Sequence, residues 1–192
     1  MNKAFIGYKV PLIGDEGVGK TSIISRFMEN KFDDGIRSTV GAANFSVAIN
    51  IDGHEIPVNI WDTAGQEKYR SLIPLYTRDT SLILIVFSMD TLESFEHLPE
   101  WYQMVRDECK IDCPVFICGN KIDTDNPRVD HEVATEWANK NKCQIVFTSA
   151  KDGTNINELF HYIAEELSKQ KQCFKPNEFV ENADNKEEGG CC

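Results

Sequence analysis

Residues 14–21 read Gly14-Asp15-Glu16-Gly17-Val18-Gly19-Lys20-Thr21, which fits the spacing G-x-x-x-x-G-K-[ST]. A β-rich run at residues 8–13 precedes it, and residues 21–30 carry apolar side chains at helical spacing. Glycines let such a loop curl so that several backbone N–H groups point at one anion, and the helix adds the positive end of its dipole. The stretch therefore predicts a phosphate-binding loop between a strand and a helix.

The side chains of this loop have separate expected roles. Lys20 supplies a point charge to the β- and γ-phosphates of a nucleotide, and Thr21 offers its hydroxyl to Mg²⁺. A glycine-rich turn without a ligand is the alternative, but the strand before the motif and the helix after it favour binding. The residues that we expect to contact the nucleotide here are Gly14, Asp15, Glu16, Gly17, Val18, Gly19, Lys20, Thr21 and Ser22.

The rest of the chain alternates strand candidates with helix candidates. Two β-rich runs at 47–51 and 56–61 flank Asp52-Gly53, which signals an antiparallel hairpin. Apolar runs typical of strands covered on both faces lie at 82–88, 114–119 and 144–148. Helix candidates lie at 92–108, 131–141 and 156–169. The pattern predicts an α/β fold, a mostly parallel six-stranded sheet with one antiparallel edge strand and helices on both faces.

Pro11 conflicts with a regular first strand, because proline has no N–H for the ladder. We therefore expect a local irregularity in that strand.

Two polar motifs follow later strands. In Asn120-Lys121-Ile122-Asp123, the Asp123 carboxylate can accept hydrogen bonds from the N1–H and the exocyclic amine of guanine, donors that adenine lacks. Ser149-Ala150-Lys151 is expected to close the pocket around the base. Either motif alone can be a solvated loop. In such sheets, however, ligands bind at the carboxyl ends of the strands, so the joint placement favours one nucleotide site.

A third motif, Asp62-Thr63-Ala64-Gly65-Gln66, follows the strand that ends at Trp61. Asp62 suits a carboxylate beside Mg²⁺. Gly65 can approach the γ-phosphate with its backbone N–H, and Gln66 can orient an attacking water. Taken alone, this stretch can be only a polar turn.

In this order the motifs resemble those of the Ras superfamily of small GTPases, and the resemblance covers about residues 8–167. Residues 61–72, Tyr76 and the terminal Cys191-Cys192 resemble the Rab family. The resemblance implies a P-loop NTPase G domain that slowly hydrolyses GTP to GDP and phosphate, with Gln66 and Lys20 as catalytic residues. It also implies that Phe32 packs against guanine. Thr39 would join Thr21 and Asp62 at Mg²⁺ only in the GTP state.

The resemblance also implies the protein's partners and its place in the cell. The partners are a guanine-nucleotide exchange factor, a GTPase-activating protein, a GDP-dissociation inhibitor, a Rab escort protein and effectors bound in the GTP state. No arginine is evidently placed to act in cis, so we expect hydrolysis to depend on the activating protein. The implied location is the cytoplasmic face of an endomembrane, whether vesicle, Golgi or endosome, in exchange with the cytosol. We expect a monomer.

Composition argues against other classes of protein. The 192 residues carry 20 Lys plus Arg and 31 Asp plus Glu, a formal charge of −11, which disfavours nucleic-acid binding and charge-driven attachment to an anionic membrane. The longest apolar run, at residues 82–87, is far shorter than the roughly 20 residues of a membrane span. No signal peptide is visible, so we expect a cytosolic chain whose scattered cysteines are free thiols, mostly buried.

The domain is predicted to comprise residues 1–169, followed by a flexible acidic tail at 170–192. The terminal Cys191-Cys192 fits the Rab pattern for double geranylgeranylation. Two lipids give a stable membrane anchor, whereas one gives only marginal binding. Two reactive thiols on a flexible end are the alternative.

Two positions depart from the family's pattern. Glu16 stands where a small or neutral residue is usual, near the γ-phosphate and the attacking water. We expect its carboxylate to turn to solvent; the alternative is slow hydrolysis and a largely GTP-bound switch. Asn44 stands where Rabs place a Phe of a three-aromatic patch with Trp61 and Tyr76. Phe45 is one position off, on the opposite strand face unless a bulge re-aims it.

Two further alternatives stay open. One is an ATP-using P-loop kinase or ATPase, against which Asp123 argues. The other is a soluble, unlipidated Ras-like adaptor.

Overall fold

A computed structural model of the chain describes residues 7–33, 35, 39, 41–64, 73–108 and 113–170. Within these residues six strands form one sheet with the order β2-β3-β1-β4-β5-β6. The strands are β1 (Tyr8–Ile13), β2 (Ala42–Ile51), β3 (His54–Thr63), β4 (Ile83–Ser88), β5 (Val115–Asn120) and β6 (Gln144–Phe147). Only the β2–β3 pair is antiparallel among them. The predicted mostly parallel sheet with one antiparallel edge strand is confirmed.

Helices cover both faces of this sheet. They are α1 (Lys20–Glu29), α2 (Ile73–Thr77), α3 (Leu92–Glu96), α4 (Leu98–Glu108), α5 (His131–Lys140) and α6 (Ile156–Lys169). One buried cluster joins α1 and α6 to the sheet, and the other joins α4 and α5 to the opposite face. Successive residues of β4 alternate between the clusters, since side chains along a strand alternate between faces. No helix in the described ranges is long and apolar enough to cross a bilayer.

The β2–β3 hairpin is longer than predicted. Its pairing runs without interruption from Ala42 opposite Thr63 to Ile51 opposite His54. Asp52 and Gly53 both have positive φ, 50° and 84°, as a two-residue turn matched to the strand twist requires. The outward side chains of β2 are polar or small, which interrupts the apolar run that marks a strand in the sequence. The strand therefore begins before its apolar stretch does.

The helix predicted over residues 92–108 is two helices separated at His97. In one continuous helix Pro99 would lack the N–H for the Phe95 carbonyl and its ring would clash there. In the structure Pro99 lies in the first turn of α4, where a missing N–H costs nothing. The one-turn helix α2 was not predicted, because five residues are too few to show a periodicity.

Pro11 does not interrupt the register of β1 with β3, which runs from Tyr8 to Leu12. The Lys9 carbonyl accepts hydrogen bonds from Ser81 and Leu82, so the backbone nitrogen of Pro11, two residues on, faces the same β4 side. Pairing with β4 is found only at Leu12 and Ile13. The missing N–H thus falls where the β4 ladder has not begun, and the expected irregularity is confined to that side.

Three of the cysteines, Cys113, Cys118 and Cys143, lie in the described residues as free, buried thiols. Burial raises the pKa of Cys118 to about 12, so this thiol is unreactive at neutral pH. The expectation of buried free thiols is confirmed for these three.

Candidate functional site

The phosphate-loop motif lies in the turn between β1 and α1. Gly14 and Gly19 have φ of 135° and 96°, a region that favours glycine. A Cβ on Gly14 would lie 2.1 Å from the Val86 carbonyl oxygen, and one on Gly19 would lie 2.3 Å from Nδ2 of Asn120. The loop is therefore pressed against the carboxyl ends of β4 and β5, and only glycine fits at these two positions.

Lys20 lies inside the curl of this loop and is only 6% exposed. Its ammonium group donates to the carbonyl oxygens of Gly14 at 2.8 Å and Asp15 at 2.6 Å. Burial lowers the pKa of Lys20 to about 8, against the opposing effect of Asp62 and the loop carboxylates. The loop thus holds a buried cation at the N-terminal end of helix α1, where it would stabilise a bound anion.

The three predicted metal ligands come together beside Lys20. The Thr21 hydroxyl donates to Oδ2 of Asp62 at 2.7 Å, and its oxygen lies 2.8 Å from the Thr39 hydroxyl. The Thr39 hydroxyl also reaches Oδ2 of Asp62, at 3.5 Å. These residues come from helix α1, from the segment before β2 and from β3. They are far apart along the chain, and the fold brings them together.

Asp62 has an oxygen that the protein does not satisfy. The residue is 2% exposed, and its Oδ1 is the one buried side-chain polar atom in the described part of the chain without a hydrogen-bond partner. Burial raises the pKa of this carboxyl, while the Thr21 hydroxyl and the Lys20 charge act in the other direction. An orphaned buried carboxylate oxygen is costly and marks a place for a cation.

These residues fit Mg²⁺. Magnesium is usually bound by one or two carboxylates together with substrate phosphates and water. One carboxylate and two hydroxyls beside a phosphate loop match that donor set. In the described ranges no group of three or more His, Cys, Asp or Glu could hold a metal ion by itself. Phosphate oxygens and water would complete the coordination.

Asn120 ties three parts of the site together. Its Nδ2 donates to the Val18 carbonyl in the phosphate loop at 2.9 Å. Its Oδ1 accepts from the Thr148 hydroxyl and the Ala150 N–H, each at 3.2 Å. Asn120 is 1% exposed. Its hydrogen bonds hold the phosphate loop and the Ser149-Ala150-Lys151 loop in position.

Asp123 faces the same loop. Its Oδ1 accepts from the Ser149 hydroxyl at 2.6 Å, and its Oδ2 lies 3.9 Å from the Lys151 ammonium. The Ile122 N–H also donates to the Thr148 carbonyl, which fastens the two motifs to each other. The structure therefore places Asp123 in contact with the Ser149-Ala150-Lys151 loop. The Lys121 ammonium instead pairs with Asp90 at 3.2 Å.

Arg26 is a residue of this region that sequence reasoning missed. Its Nε donates to the Ala150 carbonyl at 2.8 Å, and its Nη2 donates to the Lys151 carbonyl. It thereby fixes the base-side loop to helix α1. No local pattern around Arg26 signals this role, because the Ala150 and Lys151 carbonyls lie more than 120 residues away in the sequence.

The remaining predicted residues divide into three groups. Phe32 is partly buried and packs against the core cluster of α1 and α6, and Ser22 lies in α1. Glu16 is exposed, in agreement with the expected turn to solvent. Outside the described residues lie Gly65, Gln66, Cys191 and Cys192.

Asp15 points away from the turn of the loop toward α4. Its carboxylate accepts from the Trp101 indole N–H and from Nδ1 of His97, each at 2.7 Å. We expected Asp15 to contact the nucleotide, and its backbone remains in position to do so. Its side chain, however, is held by helix α4.

Two outcomes were open at Asn44, a bulge that re-aims Phe45 or an altered aromatic patch, and the structure shows the second. Because the β2–β3 register is unbroken, no bulge re-aims Phe45, which packs against the core. Asn44 is exposed opposite Trp61, and the Trp61 and Tyr76 ring centroids lie 6.4 Å apart. The surface therefore presents an amide where the related patch has an aromatic ring.

Known proteins resemble the chain over almost all of its length. A family model described as the Ras family matches residues 9–169. The Ras-related protein Rab5 of Nicotiana tabacum is 34% identical over 188 residues, which are 96% of this chain and 94% of that protein. The Ras-related protein RABF2a of Arabidopsis thaliana is 36% identical over 176 residues, 91% of this chain and 88% of that protein.

Proposed function

Since the chain belongs to the Ras family and is a Rab-like GTPase of vesicle trafficking, we propose that it switches between GTP and GDP at the site around Lys20. The observation that carries this proposal is the meeting of Thr21, Thr39 and Asp62 beside the buried Lys20 ammonium. Phosphates would lie in the curl of residues 14–21, and the base would lie along Asp123 and Ser149.

The phosphate end follows from the donors of the loop. An ammonium group has three N–H donors, and Lys20 directs two of them to loop carbonyls, so a third can reach a phosphate oxygen. Thr21, Thr39 and Asp62 would hold Mg²⁺, which when bound neutralises charge on the β- and γ-phosphates. Thr39 loses its phosphate partner when GTP is hydrolysed, so the segment around it would relax and release effectors.

For hydrolysis we propose that Gln66 orients the attacking water, that Gly65 approaches the γ-phosphate, and that Lys20 stabilises the charge that develops there. A Gln66→Leu variant loses the orienting amide and should remain GTP-bound. Exchange factor, activating protein, GDP-dissociation inhibitor, escort protein and effectors are the proposed partners. A GTP-dependent pull-down with Gln66→Leu should retain more effector than the wild type does, and equal retention would contradict the role of Gln66.

A hydrolysis-poor switch remains the second candidate because Glu16 adds a carboxylate to the phosphate loop. Its exposed side chain favours ordinary hydrolysis, since solvent screens the charge. Single-turnover hydrolysis by Glu16→Ser and by the wild type separates the two. Equal rates exclude the hydrolysis-poor switch, whereas a much faster variant establishes it.

For the membrane end we infer that residues 1–169 form the GTPase domain and that residues 170–192 form a tail with lipids on Cys191 and Cys192. Support comes from the end of helix α6 at Lys169 and from the acidic composition, which cannot supply a charge-driven anchor. The proposed location is the cytoplasmic face of an endomembrane. Intact-mass spectrometry should find two added lipids on the membrane-bound protein, and an unmodified mass there would refute the anchor.

A further inference from the structure

We propose that His97 and Trp101 are positioning residues that hold the phosphate loop through the carboxylate of Asp15 and thereby slow nucleotide release. The inference rests on the proposed function, because it assumes that the loop binds a nucleotide. It concerns side chains of the α3–α4 region that would not touch the nucleotide themselves.

The geometry joins helix α4 to the phosphate-binding ammonium through one residue. Trp101 donates its indole N–H to Oδ1 of Asp15, and His97 donates from Nδ1 to Oδ2, each at 2.7 Å. The backbone carbonyl of the same Asp15 accepts from the Lys20 ammonium at 2.6 Å. Hydrogen bonds thus hold both the carboxylate and the backbone carbonyl of Asp15. Through this residue the loop backbone between Gly14 and Lys20 is connected to a helix outside the loop.

These contacts are partly shielded from solvent. Trp101 is 2% exposed, and the side chains of Asp15 and His97 are 18% and 33% exposed. Hydrogen bonds to a charged carboxylate are stronger than those between neutral groups, and breaking one in a shielded place leaves the charge poorly solvated. The Asp15 side chain is therefore held in one orientation.

The orientation matters because the chain has two consecutive carboxylates, Asp15 and Glu16, in a loop for an anionic ligand. A carboxylate that turned toward the phosphates would repel them. His97 and Trp101 direct the Asp15 charge toward α4 and leave the backbone N–H groups of the loop for the phosphates. The clamp thus makes Asp15 compatible with phosphate binding.

The break between α3 and α4 fixes the backbone of His97 for this task. The His97 N–H donates to the Glu93 carbonyl, and its own carbonyl accepts from the N–H groups of Glu100 and Trp101. The residue therefore belongs to the end of α3 and to the first turn of α4. The same turn presents Trp101 to the loop, so the two donors form one rigid unit.

Release of a fluorescent GDP analogue from the full-length protein, with Mg²⁺ present, tests the clamp. His97→Ala and Trp101→Phe should each release the analogue roughly tenfold faster than the wild type. His97→Asn, which keeps an N–H donor, should recover most of the slow release. His161→Ala on the exposed face of α6 and Trp137→Phe on α5 are matched controls and should release at the wild-type rate.

A double-mutant cycle separates positioning from general stability. In an Asp15→Ala background, His97→Ala should add no further acceleration, because both substitutions remove the same interaction. Wild-type release by both His97→Ala and Trp101→Phe overturns the clamp, and so do fully additive effects in the Asp15→Ala background. A wild-type protein that cannot be loaded with guanine nucleotide contradicts the proposed function instead.

Discussion

The buried Asp62 carboxyl has a raised pKa and one oxygen without a hydrogen-bond partner, so stability and function conflict at this residue. Its pKa in the folded protein lies above that in the unfolded chain. Protonated Asp62 therefore stabilises the fold fully at a pH below the unfolded pKa, and this stabilisation is lost as pH rises through the folded pKa. In the nucleotide-free protein a charged Asp62 therefore carries the cost of burial together with an unsatisfied oxygen. Bound Mg²⁺ would relieve this cost.

We expect Asp62→Asn to have opposite effects on stability and on binding. The amide imitates the protonated carboxyl, so urea unfolding of the nucleotide-free variant should show a gain in the free energy of unfolding. Mg²⁺-dependent retention of GDP should fall at least tenfold. Asp107→Asn, an exposed change on α4, should alter neither quantity. A destabilised Asp62→Asn protein that retains GDP normally would contradict the assignment.

Burial of Lys20 predicts a pH dependence of stability that is opposite in sign to that of Asp62. Burial lowers its folded pKa to about 8, well below the usual lysine value of 10.5. Between these two values the unfolded chain binds more protons than the folded one, so stability rises with pH in that window. From pH 8 to pH 10 the nucleotide-free wild type should gain about 2 kcal/mol of unfolding free energy relative to Lys20→Met.

Urea unfolding across that pH range measures the difference. Lys140→Met, at an exposed lysine of α5, is the control, and its curve should run parallel to that of the wild type. If the Lys20→Met curve is parallel as well, the Lys20 ammonium is not desolvated.

At the scale of elements, the phosphate loop depends on how closely it meets β4. A Cβ on Gly14 would collide with the Val86 backbone, whereas one on Gly17, also at positive φ, would meet nothing within 4 Å. We therefore expect Gly14→Ala to cost about 3 kcal/mol or more in thermal or urea unfolding, and Gly17→Ala to cost about 1 kcal/mol from backbone strain alone. Equal costs for the two variants would mean that the loop does not press on β4.

Elements whose signal is local were predictable from the sequence. A few consecutive residues are enough to predict the turn at Asp52-Gly53 and the apolar strand β4. The break at His97 was not predicted, because helical periodicity continues across Pro99. The start of β2 at Ala42 was missed because a half-exposed edge strand alternates with polar residues.

Some contacts of the candidate site could likewise be predicted from the sequence, and others could not. Thr21 lies in the first turn of helix α1 and Asp62 lies near the carboxyl end of strand β3. The places of these two elements in a parallel sheet are known, so the meeting of the two side chains could be predicted. The orientation of Asp15 toward Trp101 and the fastening of Ala150 by Arg26 could not. Both depend on side chains that meet only after the helices have packed on the sheet.

For the whole molecule, the alternation of strands and helices determines the architecture, and the net charge of −11 sets the kind of partners it can attract. The proposed anionic nucleotide would bind against that charge, held by one buried ammonium and a curled backbone. The membrane would be reached through lipids and not through basic residues.

Relative affinity for GTP and ATP, with Mg²⁺ present, tests the guanine-nucleotide switch most directly. Binding of both nucleotides should be measured for the wild type, for Asp123→Ala and for the control Asp125→Ala at an exposed position. The wild type and the control should prefer GTP by roughly 10⁴, because adenine offers the Asp123 carboxylate neither of the two N–H donors that guanine has. Asp123→Ala should lose most of that preference, whereas equal affinity of the wild type for GTP and ATP would contradict the assignment.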